Sequence, residues 1–393
     1  MRIAHVVSTF PPHLGGMGSV CESEAKALAE QGYDVTIFTL KYPGKINSEA
    51  DKRFPFKVVR LRPLIGFGDA GLVPQLLWKI GKNFDLVHLH YPFYGGAEWL
   101  SFLQIPLIIT YHMDAQTASL KFLIQKLYDA VWPKRLFAKA KKIITVDAAF
   151  RNSKFLQNVS SGKITEIRNG VDTGIFKPQS ADLDKLGLSD LKDKQSLKLR
   201  RASKEENEFS SLLTSSNYKK IILFVGNLLP LKRLDLLISA VKLLNNPEAV
   251  LVVVGGGDSL KKYKQMAKDL GVGSQVVFAG ACDNKEKLVQ YYNAAYCVAV
   301  PSDYESFSLV AAEAMACGKP LILSDLPVFK NNFNQAVFFQ KGSVDSLKDA
   351  LTRALSLSSE ERKKMGEWGI AKANTDFSWD NHINKLKAVY GQV

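Results

Sequence analysis

The chain has 393 residues, too many for one ordinary hydrophobic core, so two domains are expected. Hydrophobic residues make up 46% and charged residues 23%, a balance that excludes a disordered or fibrous chain. The net charge of +14 asks for anionic partners, and no run approaches the roughly 20 consecutive apolar residues of a membrane-spanning helix.

The amino-terminal "MRIAHVVSTFPP" reads as a first strand, because its apolar stretch ends in Pro-Pro and Gly-Gly without a small-residue cleavage site. Cys21, Ala25 and Leu28 recur at helical spacing until Gly32 closes the helix, and "DVTIFTL" is the next strand. "FKVVRLR", "FDLVHLH", "PLIITYH" and "KIITVD" continue the series. Continuous apolar strands joined through helices mean a parallel sheet covered on both faces, the doubly wound α/β class.

Between Gln116 and Val146 seven Lys and Arg stand against one acid, Asp129, interleaved with Leu, Ile, Val, Trp and Phe. This 116–146 segment is expected as a basic amphipathic helix pair. It is either packed on the core with its lysines reaching water, or adsorbed to an anionic membrane surface. No nucleic-acid-binding motif accompanies the charge. Four widely spaced cysteines, Cys21, Cys282, Cys297 and Cys317, fit reduced thiols in a cytoplasmic protein and show no paired metal-ligand spacing.

Residues 179–220, rich in charge and serine, are expected as a linker or insertion between a first domain of residues 1–178 and a second of residues 221–378. The alternation then restarts with "KIILFVGN", a helix from Leu234 to Leu244, "AVLVVVGGG", "QVVFAG", "YCVAVPS", a helix from about Leu309 to Cys317, and "PLILSD". Ligands of open α/β sheets bind beyond the carboxyl ends of the strands, so the segments that follow strands carry the candidate chemistry.

Four such segments stand out. "FPPHLGGMGSV" places Gly15, Gly16 and Gly18 before a helix, either for backbone approach to a phosphate or for a turn with positive φ. The third glycine of a dinucleotide fingerprint is missing there. "VGNLLPLKR" sets Lys232 and Arg233 in a loop after a strand, where paired cations suit a diphosphate. "ITYHMD" ends a strand with His112, a lone histidine of the kind that is more often structural. In "SDYESFSLVAAEAMACGKPLI", Glu305 precedes and Glu313 lies within an almost wholly apolar helix that Ser306 or Ser308 can cap. A carboxylate buried there needs a partner, and a ligand's hydroxyl pair or a buried Lys or Arg would serve equally.

Taken together, these stretches resemble the retaining family 4 glycosyltransferases of the GT-B fold over nearly the whole chain. The most specific match is the Glu-x7-Glu pattern of Glu305 and Glu313. "IRNGVDTGIFKP", "LVVVGGGDS", "VVFAGACDNKEKLVQYYNAA" and the closing "FSWDNHINKLKAVY" agree with it. The resemblance implies two Rossmann-like domains facing across a deep cleft, with the last helix, about 379–393, crossing back onto the first. It implies a nucleoside-diphosphate-sugar donor such as a UDP- or GDP-sugar, a glycan or lipid-linked acceptor, and neither a metal nor any other cofactor.

Carried over residue by residue, the resemblance gives Glu313 the ribose hydroxyls and Glu305 the hydroxyls of the donor sugar. Phe307, Ser308 and Leu309 supply backbone N–H groups, and Lys232 holds the diphosphate. Gly16 lets the first loop approach the phosphates, His112 sits by the sugar, and the backbone at Ala281 and Cys282 neighbours the base. Where the family often has Gly-Arg, this chain has Gly226-Asn227, and Arg233 is the candidate replacement at the donor site. "EGFG" is "ESFS" here, which adds side chains at Ser306 and Ser308. Two other readings use the same architecture: a nucleotide-sugar epimerase, which needs no acceptor, and a noncatalytic nucleotide-sugar-binding protein. A Rossmann oxidoreductase is disfavoured by the glycine spacing.

Overall fold

The apolar runs become two parallel sheets in the computed structural model, which describes residues 1–12, 15–42, 51–113, 122–191 and 219–393. Unit 1 comprises Met1–Asn169 with Asp380–Val393, and unit 2 comprises Gly170–Trp379.

In unit 1 the strands are β1 (Arg2–Val6), β2 (Asp34–Leu40), β3 (Lys57–Leu61), β4 (Leu86–Tyr91), β5 (Leu107–Tyr111), β6 (Lys142–Thr145) and β7 (Ile164–Glu166). Their order is β3-β2-β1-β4-β5-β6-β7, all parallel, so the direction of winding switches between β1 and β4. Helix α1 (Gly16–Glu30) buries Val20, Cys21, Ala25 and Leu28, the spacing visible in the sequence, and Gly32 at φ 86 turns the chain out of it.

The basic segment departs from expectation. One helix, α2 (Phe122–Lys139), contains Pro133 and runs into β6, so the described part is not a helix pair; residues 116–121 lie outside the described residues. Leu136 and Phe137 are buried, Lys134 and Arg135 are exposed, and the Arg135 guanidinium lies 4.4 Å from the Phe102 ring centre.

Unit 2 has β8 (Lys220–Val225), β9 (Ala249–Val254), β10 (Val276–Gly280), β11 (Cys297–Val300), β12 (Leu321–Ser324) and β13 (Val337–Phe339). Their order is β10-β9-β8-β11-β12-β13, again all parallel, with the switch between β8 and β11. Every residue of β9 is buried, as its unbroken Ala-Val-Leu-Val-Val-Val requires, and each Val or Leu side chain contributes about 1.5–3 kcal/mol of transfer free energy. Helices α3 (Leu234–Leu244), α4 (Leu260–Asp269), α5 (Lys285–Ala294), α6 (Leu309–Ala316), α7 (Val344–Leu355) and α8 (Ser359–Thr375) surround the sheet, and α9 (Trp379–Tyr390) ends the fold. Ser358 and Glu361 cap α8 reciprocally. Its Gly369 lets α6 pack close, since a Cβ there would lie 2.7 Å from Met315 Cγ.

The domain boundary also differs from the compositional reading. Unit 2 begins at Gly170 rather than after residue 178, and the start of the expected linker is folded onto it. Gln179 N–H donates to Asn293 Oδ1 at 3.0 Å and Asp182 N–H to Gln290 Oε1 at 3.0 Å. Polar composition hid this because the attachment uses backbone donors. Residues 192–218 lie outside the described residues. Among the described residues no helix is long and apolar enough to cross a membrane, and the four cysteines are free thiols.

Candidate active site

Ten of the twelve candidate residues gather on loops at the carboxyl ends of the unit 2 strands or on α6; Gly16 and His112 belong to unit 1. After β8 the chain turns through Gly226, at φ 144, and exposed Asn227 into a short turn, Pro230–Lys232. Arg233, at φ 51, then starts α3. The turn is stitched to the segment after β11 by Asp303 N–H donating to Leu231 C=O at 2.8 Å. The two loops therefore meet at the switch point of the sheet, where α/β proteins place ligands.

There the Lys232 ammonium donates to Glu305 Oε1 at 2.6 Å, and Ser302 Oγ donates to the same oxygen at 2.8 Å. Glu305 is thus fixed from two sides, with 10% of its side chain exposed against 26% for Lys232. Arg233 is held differently. Its guanidinium bonds both oxygens of Asp303 at 3.0 and 3.2 Å and both oxygens of Asp235 at about 3.3 Å. Those two carboxylates raise its pKa further and occupy its fork. The expected substitution of Arg233 for the arginine absent at Asn227 meets that obstacle: a phosphate would have to displace an aspartate.

Helix α6 opens at Ser308, whose Oγ accepts from Ala311 N–H at 3.3 Å. Ser308 sits at φ 79, a conformation natural to glycine and costly for serine, so the extra side chain is carried at the expense of local strain. Phe307 is 1% exposed and packs edge-on against Phe377 at 5.1 Å, which anchors the backbone just before the helix. Leu309 begins the helix and is half-buried.

One turn on, Glu313 forms no ion pair among the described residues, and the Lys285 charge acts on it only from a distance. Tyr292 O–H, from α5, donates to its Oε2 at 2.6 Å. Burial pushes the Glu313 carboxyl up to about 7 against the pull of that hydrogen bond. Tyr292 lies on the buried face of an ordinary-looking helix, so nothing in the sequence marked it. Ser302 and Asp303, inside the quoted motif, were legible as polar residues after a strand but not as the struts of Lys232.

Two glycine clusters resolve differently. In "VVVGGG" a Cβ on Gly255 would lie 1.9 Å from Gly226 C=O, so that glycine is demanded by the close approach of two strand-end loops. The exposed backbone of Ala281 and the half-buried Cys282 follow β10 beside it, and Cys282 Sγ donates to Asn284 C=O at 3.4 Å. In the first cluster none of Gly15, Gly16 and Gly18 has a positive φ, so the strained-turn reading fails. Gly18 is needed for packing, since its Cβ would lie 2.7 Å from Thr9 C=O. Among the described residues Gly16 has nothing within 4 Å of that position.

His112 follows β5 and is 5% exposed. Its Nε2 faces His90 Nδ1 at 3.0 Å, and burial lowers its pKa to about 3, so it is a neutral imidazole with Nδ1 as the remaining ring nitrogen.

Comparison with known proteins finds a family match in each half of the chain. The model of the glycosyl transferases group 1 matches residues 204–372, and that of Glycosyltransferase Family 4 matches residues 14–174. An uncharacterized glycosyltransferase of Methanocaldococcus jannaschii is 26% identical, covering 99% of this chain and 98% of its own. The D-inositol 3-phosphate glycosyltransferase of Actinosynnema mirum is 28% identical, covering 96% and 92%. Among solved structures, sucrose-phosphate synthase of Thermosynechococcus elongatus superposes with TM-score 0.77 at 21% identity, covering 100% of this chain and 98% of that one. HepE of Anabaena, solved in complex with UDP-glucose, superposes with TM-score 0.75 at 17% identity over the full length of both chains.

Proposed function

The chain belongs to the family 4, group 1 glycosyltransferases with the GT-B fold, and on that premise we propose that it moves a sugar, with retention, from a nucleoside-diphosphate donor to a hydroxyl of an acceptor. The observation that carries this reading is the Lys232–Glu305 pair, fixed at the switch point of unit 2 beside the start of α6. Departure of the diphosphate builds negative charge. A preorganised ammonium and the N–H groups near Phe307, Ser308 and Leu309 stabilise that charge more in the transition state than in the bound donor.

In this scheme the bond from the anomeric carbon to the diphosphate breaks on the face where the acceptor oxygen bonds. The acceptor's proton passes to the departing phosphate oxygen. Glu305 orients the donor sugar through its hydroxyls while keeping Lys232 in place, and Glu313, as carboxylate, accepts from the ribose diol. Ala281 and Cys282 flank the base with backbone groups. Arg233, gripped by Asp235 and Asp303, stiffens the Lys232 turn rather than holding phosphate. From unit 1, Gly16 supplies a backbone that phosphate can approach, and the neutral His112 offers a hydrogen bond to the sugar. The fixed cation takes the role a divalent ion plays elsewhere, so transfer is expected without added magnesium or manganese.

UDP-glucose bound to HepE favours a UDP-sugar here, with a GDP-sugar next. The net charge of +14 and the D-inositol 3-phosphate in the name of the A. mirum relative favour an anionic acceptor, either a phosphorylated polyol or a lipid-linked glycan at an anionic membrane face. Incubating the purified protein with UDP-, GDP- and ADP-sugars, while following nucleotide release and thermal stabilisation, tests the reading. One donor should stabilise selectively and release nucleotide slowly until an acceptor is supplied. Isomerised sugar without acceptor would establish the epimerase, and stabilisation without release under any acceptor would establish the binding protein. Flotation with anionic against neutral vesicles, repeated at high salt, tests the membrane-face acceptor.

A further inference from the structure

Five histidines, His5, His88, His90, His112 and His382, lie together in unit 1. His5 on β1 stands opposite His88 on the neighbouring β4, and His90 follows two residues later, so three imidazoles project from one face of the sheet. Helix α1 lays Glu24 over them, and α9 adds His382 and Tyr390. His5, His88 and His90 are 0% exposed and Glu24 is 1% exposed.

We propose that His5, His88, His90 and Glu24 are the ligands of a buried structural zinc ion. Glu24 Oε2 lies 3.9 Å from His5 Nδ1, 3.7 Å from His88 Nδ1 and 3.6 Å from His90 Nε2, while His5 Nδ1 and His90 Nε2 are 3.0 Å apart. The four donor atoms all fall within 4.8 Å of one another. A tetrahedral zinc with bonds of about 2.0–2.1 Å sets its ligand atoms about 3.3 Å apart, so small rotations of these side chains complete the shell.

A second observation is independent of the cluster's shape. Glu24 Oε2 is buried and has no hydrogen-bond partner among the described residues, although its companion Oε1 meets His382 Nε2 at 2.9 Å. An orphaned carboxylate oxygen costs free energy unless a cation answers it. The outer ring nitrogens are already served. His90 Nδ1 faces His112 Nε2 at 3.0 Å, His88 Nε2 faces Thr110 Oγ1 at 2.7 Å, and His5 Nε2 faces Tyr390 Oη at 3.4 Å. Each is a group able to accept an N–H, which leaves the inner nitrogens to present lone pairs, as the outer partners of metal-bound histidines do.

Tyr390 Oη also lies 2.7 Å from His88 Nδ1, so on metal binding its proton turns away from that nitrogen and the hydroxyl accepts from His5. Three imidazoles and one carboxylate select a borderline metal over magnesium or calcium, and Cys21 Sγ, 4.0 Å from His5 Nδ1, adds a soft atom to the surroundings. Full burial leaves no open coordination position, which makes the site structural rather than catalytic. The ion would tie β1, β4 and α1 together and, through His90 Nδ1–H, hold His112 as its Nδ1–H tautomer.

The test is metal analysis of the full-length protein carrying no histidine tag, purified from zinc-supplemented cells and dialysed extensively. About one zinc per chain is expected for the wild type, with less than about a tenth remaining in Glu24→Gln or His90→Asn. His382→Gln, which spares all four ligands, should keep the metal. Protein produced with cobalt should show the intense visible bands of tetrahedral Co2+. Soluble, cooperatively folded wild-type protein with less than about a tenth of a zinc, and without those bands, would overturn the proposal and leave a hydrogen-bonded network. The wild-type measurement decides the matter even where a ligand variant fails to fold.

Discussion

Replacing Glu313 by glutamine should stabilise the unliganded protein in mild alkali while weakening donor binding. Burial raises the Glu313 carboxyl from its ordinary 4.5 to about 7, so the folded state keeps a proton that the unfolded chain releases. The folded state binds more protons than the unfolded one across that window. Stability therefore falls as pH rises from about 4.5 through about 7, and the whole penalty is present above it. The interval corresponds to about 3 kcal/mol as an upper value, and solvent contact at the half-buried residue reduces it to roughly 1–2 kcal/mol. Glutamine keeps an oxygen for the Tyr292 O–H and carries no charge, so the variant should lack this pH dependence. Urea unfolding at pH 5 and pH 8 measures it: the two proteins should be nearly matched at pH 5, with the variant about 1–2 kcal/mol more stable at pH 8. Parallel pH profiles for wild type and variant would refute the buried carboxyl. Donor affinity should fall by about 10- to 100-fold in the variant, the worth of charge-assisted hydrogen bonds to a ribose diol. Wild-type affinity should itself fall up to about tenfold per pH unit below 7, because the diol needs the carboxylate.

Lys232→Ala should lower kcat by about 10²–10³ with a smaller change in donor KM, as measured by steady-state kinetics on the identified donor; equal loss in KM alone would make Lys232 a ground-state binder. Ser308→Gly relieves the positive φ but loses most of the cap to Ala311. Its thermal unfolding should show a stability between unchanged and about 1 kcal/mol higher, and a loss above about 1 kcal/mol would contradict the strain. Gly16→Ala should leave stability within about 0.5 kcal/mol while raising donor KM, since its Cβ meets nothing among the described residues. Gly18→Ala, clashing with Thr9 C=O, should lose about 1–3 kcal/mol in the same denaturation assay.

The doubly wound architecture was legible because continuous apolar strands can be buried only in a covered parallel sheet, and "AVLVVV" and "CVAV" are such strands. The pattern around Glu305 and Glu313 was legible for a related reason: a charge inside an apolar helix has no place unless something answers it. What answers it was not legible. Tyr292 reaches Glu313 across 21 positions of sequence and Lys232 reaches Glu305 across 73, and only the strand order, which sets β8 beside β11, brings the second pair together. The edge strands β7 and β13 escaped because each has three residues, too few for a periodicity. The histidine cluster was the deepest omission. "FDLVHLH" reads as an apolar strand, and His88 and His90 share a face with His5 only through the parallel register of β4 against β1. Residue type and spacing determine which groups a segment offers to each face, because the period of two or 3.6 is local. Which groups then meet is decided by register and strand order, which depend on the packing of the whole sheet.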